Sequence, residues 1–248
     1  MFPIRDHNPS GRTPYVVYAL ILINITVFLI QRPTMSDDVR LMQIYFDWAL
    51  IPEQVSNGKM LHTLLTSMFM HGGWMHIAGN MLFLWIFGDN LEDEMGHFGF
   101  LLFYVLAGVG AALAQIIPDP LSKIPMIGAS GAIAGVMGGY LLLFPKARVD
   151  VILIFIIFFK IFTVRAWVVL SVWFALQLFG GAAIDTTGGG VAYWAHAGGF
   201  VAGIILTTPL WLRRGAKRFW QAHAGHPPHP ETKYRLSQSS IPRIRKRR

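Results

Sequence analysis

The sequence predicts an all-α membrane protein, a bundle of six transmembrane helices with both termini cytoplasmic. Hydrophobic residues make up 54% of the 248 and charged residues only 14%, a balance that argues against an ordinary soluble globule. The apolar residues come in long blocks, several approaching the roughly 20 that one helical crossing of a bilayer requires. The basic residues are distributed so that one arrangement of those blocks keeps most of them on a single side.

The first block, residues 15–31, follows a polar, Pro-rich start at 1–14, and no small-residue cleavage site clearly follows it, so it reads as a retained span. About thirty residues then intervene, including the half-apolar run 41–51 with Tyr45, Phe46 and Trp48. Aromatics of that kind belong at a membrane–water interface, and this loop is expected to lie on the bilayer surface. Further spans are read at 74–87, 98–117, 127–144, 166–179 and 193–212. The apolar run at 151–159 is only nine residues and cannot cross. Counting its whole segment as a seventh span would put Arg5 and Arg12 opposite the basic tail. Six spans instead gather Arg5, Arg12, Lys146, Arg148, Lys160, Arg165 and the tail on one side, which the positive-inside rule makes cytoplasmic. The chain thus divides into a cytoplasmic segment 1–14, a membrane domain 15–212 and a polybasic, disordered cytoplasmic tail 213–248.

The formal net charge of +8 is concentrated in that tail, which alone carries +10 and leaves −2 for everything before it. A polybasic stretch just beyond a membrane helix is expected to attract anionic lipid headgroups. Nucleic acid is not an expected partner, since the tail is rich in Pro, Ser and His without a foldable pattern. The tail histidines His223, His226 and His229 read as solvated residues rather than a metal site. With no cysteine in the chain, disulfides, thiolate metal sites and a cysteine nucleophile are excluded.

Small residues recur at four-residue spacing in two spans: Gly131, Gly135 and Gly139 in the fourth, and Ala195, Gly199 and Gly203 in the sixth. In lipid, where helices gain nothing from burying apolar surface, such stripes let two backbones approach closely. Polar side chains lodged in apolar helices are costly and mark function. Those here are Ser130, His196, and the pair His76 and Asn80 at i and i+4 on one helix face. With six spans and an inside N-terminus, the second, fourth and sixth spans all begin at the outer surface. His76, Ser130 and His196 are therefore expected to meet at one depth, in reach of water.

A serine hydroxyl becomes nucleophilic when a base within hydrogen-bond reach takes its proton, and neutral histidine is the usual base. Ser130 and His196 form the candidate catalytic pair. His76, Asn80 and the backbone N–H of Ser130 are positioned to stabilise an oxyanion, a contribution of about 2.7–4 kcal/mol per donor in other hydrolases. Asp119 and Asp185 fall in outer loops and the remaining carboxylates on the inner side, so no third member is evident and a Ser–His dyad is implied. Asn24, Gln115 and Gln177 read as scattered, outside the cluster.

The stretch HGGWMHIAGN, His71 to Asn80, resembles the second-helix motif of the rhomboid family of intramembrane serine proteases. GASG, Gly128 to Gly131, resembles the family's nucleophile motif, and AHAGG, Ala195 to Gly199, its last-helix motif. Gly88, Glu92 and Gly96 match the pattern ending the second helix, where the glutamate is structural in the family. The resemblance covers most of the chain, residues 61–210. It implies a rhomboid-like six-helix bundle acting as a serine endopeptidase on transmembrane segments. Ser130 would be its nucleophile, His196 its base, and His76 and Asn80 its oxyanion donors. Two departures stand out. Where some bacterial members carry a Trp–Arg pair before the second helix, this chain has His62 and Thr63. Where some stack a tyrosine on the catalytic histidine, it has Ala134.

The expected partners are the lipid bilayer and transmembrane protein substrates, and no metal or cofactor is needed. The alternative is a proteolytically inactive rhomboid-like protein that binds membrane clients. A transporter reading would require polar residues continuing through the membrane. His71 is expected to brace the outer loop, and Phe83, Trp167, Trp173 and Phe174 to offer a lateral seam. The expected location is a bacterial plasma membrane, since no long presequence is seen.

Overall fold

Each of the six apolar blocks forms a helix, and the computed structural model describes residues 2–155, 158–183 and 190–223. Asp185, His226, His229 and the basic run beyond 223 lie outside the described residues. In chain order the elements are β1 (Phe2–Asp6), α1 (Tyr15–Gln31), α2 (Asp38–Trp48), α3 (Pro52–Ser56), α4 (Thr63–Thr66), α5 (Trp74–Met95), α6 (His97–Ile116) and α7 (Ser130–Leu143). There follow β2 (Arg148–Phe155), β3 (Phe158–Arg165), α8 (Ala166–Ala183), α9 (Tyr193–Arg213) and α10 (Lys217–His223).

Among the described residues four helices are long and apolar enough to cross a membrane: α1 with the 3-10 turn that extends it, α6, α8 and α9. The other two members of the bundle differ for evident reasons. α5 carries Asp89, Glu92, Asp93 and Glu94 in its last turns, and α7 has only 14 residues. α7 is also the most enclosed, with nearly every side chain buried. Apolar residues on the outer faces of the other helices, such as Leu22, Ile30, Leu176, Phe179 and Ile205, are exposed. Such a surface suits lipid, where they meet no water.

The small-residue stripes of α7 and α9 face each other. A Cβ on Gly199 would overlap the Gly131 carbonyl, one on Gly203 the Gly135 carbonyl, and one on Gly138 the Phe200 carbonyl. Backbone therefore lies on backbone at three points, the close approach that only residues lacking a side chain permit.

Glu92 has a structural place. Its carboxylate accepts hydrogen bonds from Val16 N–H at 2.9 Å and Val17 N–H at 2.8 Å, at the start of α1. Pro14 at the N-cap offers no side-chain acceptor, so the carboxylate of α5 satisfies donors that would otherwise be orphaned and complements the helix dipole. Gly96, at φ +73°, makes the one-residue turn between α5 and α6 that a left-handed backbone allows.

The segment around 151–159, read as too short to cross, forms strands rather than a helix in its described residues. β2 and β3 pair antiparallel, and β1 joins the other edge of β2, giving a three-stranded sheet in the order β1-β2-β3. The all-α expectation holds for the bundle, and the sheet is an addition at one end of it. The strand signal lies in the β-branched residues Val149, Val151, Ile152 and Ile154. Because β1 pairs with β2, the N-terminal segment and the connection from α7 to α8 share this end. Here Asp150 accepts from Arg5 Nε at 2.7 Å and Thr163 Oγ1 at 2.6 Å, and His7 Nε2 lies at 2.8 Å. Burial pushes the Asp150 carboxyl up, but hydrogen bonds from Thr163, His7 and Arg5 outweigh it and hold the group below the usual carboxylate range.

The described part of the tail, expected to be disordered, holds a short helix. Residues 217–223 form α10, with Phe219 buried and Trp220 Nε1 donating to the Leu142 carbonyl at 2.9 Å. In the loop after α1, Asp37 caps α2 by accepting from Val39 N–H and Arg40 N–H. Protein leaves Val39, Met42, Phe46 and Trp48 of α2 uncovered, as a helix lying on a bilayer surface requires.

Candidate active site

α5, α7 and α9 all begin at the end of the bundle opposite the sheet, and each delivers one polar residue within its first turn. Ser130 is the first residue of α7, His76 the third of α5 and His196 the fourth of α9. Ser130 Oγ and His196 Nε2 lie 2.8 Å apart, a full hydrogen bond between two helices. The α7–α9 backbone contact sets this distance, since Gly131, next to Ser130, meets Gly199, about one turn beyond His196.

The oxyanion candidates stand on the other side of Ser130. Gly72 N–H donates to His76 Nδ1 at 3.3 Å. In the neutral ring the proton is then on Nε2, and that nitrogen lies against Gly128, 2.7 Å from where a Cβ would stand. Gly128 has φ +122°, so both its backbone and the imbedded imidazole demand glycine at this position of the motif. Asn80 is buried one turn further along α5, and its Nδ2 finds no acceptor among the described residues. A buried N–H₂ without a partner costs stability in a resting protein and is free to meet charge that appears during a reaction. The N–H of Ser130, in the first turn of α7, also lacks an intrahelical partner, as helix geometry requires.

A cavity of about 500 Å³ opens from this point toward the surface, lined by His76, Ser130 and His196 together with Gln115, Asp119 and Ser122. Its lining is mixed, and the polar groups of Gln115, Asp119 and Ser122 are of the kind that hold water. A hydroxyl held on an imidazole, flanked by unengaged donors in an open cavity, has the parts that acyl transfer requires. Among the described residues no cluster of metal-ligating side chains occurs.

Two residues read as scattered belong to the site. Gln115 Oε1 accepts from Ala195 N–H at 3.0 Å, satisfying a donor of the first turn of α9. Gln177, on α8, places Oε1 2.8 Å from His196 Nδ1. Nothing in hydropathy or spacing reveals that second contact, because it depends on how α8 turns against α9. Asn24, by contrast, bonds the Leu20 carbonyl within its own helix.

The departures from the family pattern find replacements. His62 Nε2 donates to the Asp47 carbonyl at 2.8 Å, and its ring meets Trp48 edge-on. Thr66 Oγ1 donates to the Trp48 carbonyl, so the outer loop is anchored through backbone carbonyls. Ala134 is buried, and Trp173 of α8 packs on the His196 ring instead, with centroids 5.8 Å apart. Phe174 stacks on Phe200 of α9 and Trp173 meets the same ring at a tilt. His71 is fully buried with its ring edge-on to His76, and its N–H donates to Gln31 Oε1.

Comparison with known proteins agrees with the motifs. The family model for the Rhomboid domain matches residues 58–213. Rhomboid-like protein 11, chloroplastic, of Arabidopsis thaliana is 28% identical over 84% of this chain and 69% of its own length. Rhomboid protein 1, mitochondrial, of Saccharomyces cerevisiae is 32% identical over 77% of this chain and 51% of its own length. Rhomboid protease GluP of Bacillus subtilis is 41% identical over 78 residues, which are 32% of this chain and 15% of that protein.

Proposed function

The chain belongs to the rhomboid family, and from that premise we propose that it is an intramembrane serine endopeptidase cleaving transmembrane segments of other membrane proteins. The observation that carries the proposal is the 2.8 Å contact of Ser130 Oγ with His196 Nε2 in a cavity open to water. Ser130 Oγ attacks the scissile carbonyl while His196 takes its proton. The charge on the carbonyl oxygen is met by Asn80 Nδ2, His76 Nε2 and the Ser130 N–H. His196 returns the proton to the departing amine, leaving an acyl ester on Ser130. A water from the cavity, deprotonated by His196, then hydrolyses the ester and regenerates the hydroxyl.

In the proposed topology, six helices cross, and the sheet end with residues 1–14 and the tail from 213 faces the cytoplasm. The basic tail then lies against anionic headgroups. The expectation of a bacterial plasma membrane gains no support from the relatives, whose names include a chloroplastic and a mitochondrial protein. The integral membrane character stands on the four long apolar helices and the family.

The test is reconstitution of the full chain in liposomes with a model transmembrane substrate, comparing it with Ser130→Ala. Cleavage by the intact chain and none by the variant is the expected result. Equal cleavage by both removes Ser130 as nucleophile. Absence of cleavage by either, with stable co-purification of the substrate, selects the client-binding alternative.

A further inference from the structure

α8 and α9 run antiparallel, and three contacts a turn apart fix their register. A Cβ on Gly180 of α8 would overlap the Tyr193 ring of α9. Three residues back on α8 and three forward on α9, Gln177 meets His196. A further turn on, the Trp173 ring meets that of Phe200, with centroids 6.1 Å apart. The middle rung is the one with chemical consequence.

An amide side chain can present either its oxygen or its nitrogen, and here the choice is settled locally. Gln177 Nε2 donates to the Trp173 carbonyl at 3.3 Å, within the same helix. Its Oε1 is thereby turned to His196, and an oxygen can only accept. His196 Nδ1 must therefore carry the proton and donate it, which leaves Nε2 with the lone pair that faces Ser130 Oγ at 2.8 Å. The other tautomer would set Nδ1 lone pair against amide oxygen and deprive Ser130 of its base. Trp173 packs against the ring beside this bond.

We infer that Gln177 is a positioning residue of the active site, holding His196 in the base-competent tautomer from a helix that carries neither nucleophile nor base. It takes the role a buried carboxylate fills in three-membered serine hydrolase sites. A neutral amide suits this place, since a second charge at membrane depth is costly. The inference rests on the reading of Ser130 and His196 as a catalytic pair, but its first observable does not require turnover.

The experiment uses the full chain in lipid nanodiscs with ¹⁵N-labelled histidine, the His196 signal being identified by its loss in His196→Ala. The wild-type imidazole is expected as a single Nδ1–H tautomer. Gln177→Leu is expected to give mixed tautomers and to lower kcat about 10- to 100-fold with KM unchanged, the low end of what a positioned general base contributes. Gln177→Glu retains an acceptor and is expected to recover the tautomer. Its carboxylate favours the imidazolium, so the acid limb of its kcat–pH profile moves to higher pH. Gly180→Val leaves every polar group in place but wedges α8 from α9, and should reproduce the Gln177→Leu tautomer mixture. A single Nδ1–H tautomer in Gln177→Leu, or a kcat within about twofold of wild type, overturns the inference. A wild-type chain that shows the tautomer yet cleaves nothing overturns the protease reading instead.

Discussion

At the cavity end, Asn80 Nδ2 lacks an acceptor among the described residues and His76 Nε2 lies against Gly128, whereas at the sheet end the charged groups are closed on one another. Asp150 binds Arg5, His7 and Thr163, Glu92 binds the first turn of α1, and Tyr140 donates to Asp6 at 2.8 Å. One chain has thus separated two uses of the same interactions. Under the proposed function, donors left unmatched at one end would meet charge in a transition state, while bonds already made at the other hold the helices together. Substitutions should respect the division, altering rate without stability at the first and stability without rate at the second.

The largest effect is expected from Ser130→Ala, with kcat lowered at least about 10⁴-fold and the thermal midpoint unchanged, read by substrate cleavage beside an unfolding curve. Asn80→Ala should lower kcat about 10²- to 10³-fold. Because its Nδ2 makes no bond in the resting protein, Tm should hold or rise. A clear fall in Tm with normal turnover would assign Asn80 to the fold.

Glu92→Ala tests the opposite end. It orphans two N–H groups at the start of α1 and should cost about 2–3 kcal/mol in detergent unfolding, with cleavage per folded molecule within about twofold. The smallest effect concerns Asp150. Its folded pKa is depressed, so its contribution is complete above the unfolded value of about 3.9 and is lost as pH falls through the lower folded value. Asp150→Asn should flatten that acid-side decline in Tm and lower stability at neutral pH by about 1 kcal/mol.

The helices were legible because lipid imposes a length and composition on them. α1 covers the residues read as the first span, and the other five helices start within a few residues of their blocks. The meeting of His76, Ser130 and His196 was legible for a related reason, since alternating direction alone puts three helix starts at one end. The sheet was not, because a short apolar run fits a surface segment as well as a strand, and only pairing with the distant β1 decides it. Residues 217–223 were hidden by the charge around them, although Phe219 and Trp220 supply an apolar face. Gln177 was missed because its value lies in a rotation of α8 about its axis, which hydropathy does not encode.

β3 ends at Arg165 and α8 begins at Ala166 with no linker between them. The base of α8 is tied down by Ala166 N–H to the Ala147 carbonyl at 2.8 Å and Trp167 N–H to the Pro145 carbonyl at 3.0 Å. The helix is therefore a lever whose fulcrum is the sheet. Gln177 sits about 16 Å along it at 1.5 Å per residue, so a tilt of about 10° sweeps that side chain through about 3 Å. A swing of that size equals the length of the bond it makes to His196, so under the proposed function a displaced arm would release the imidazole from its amide partner.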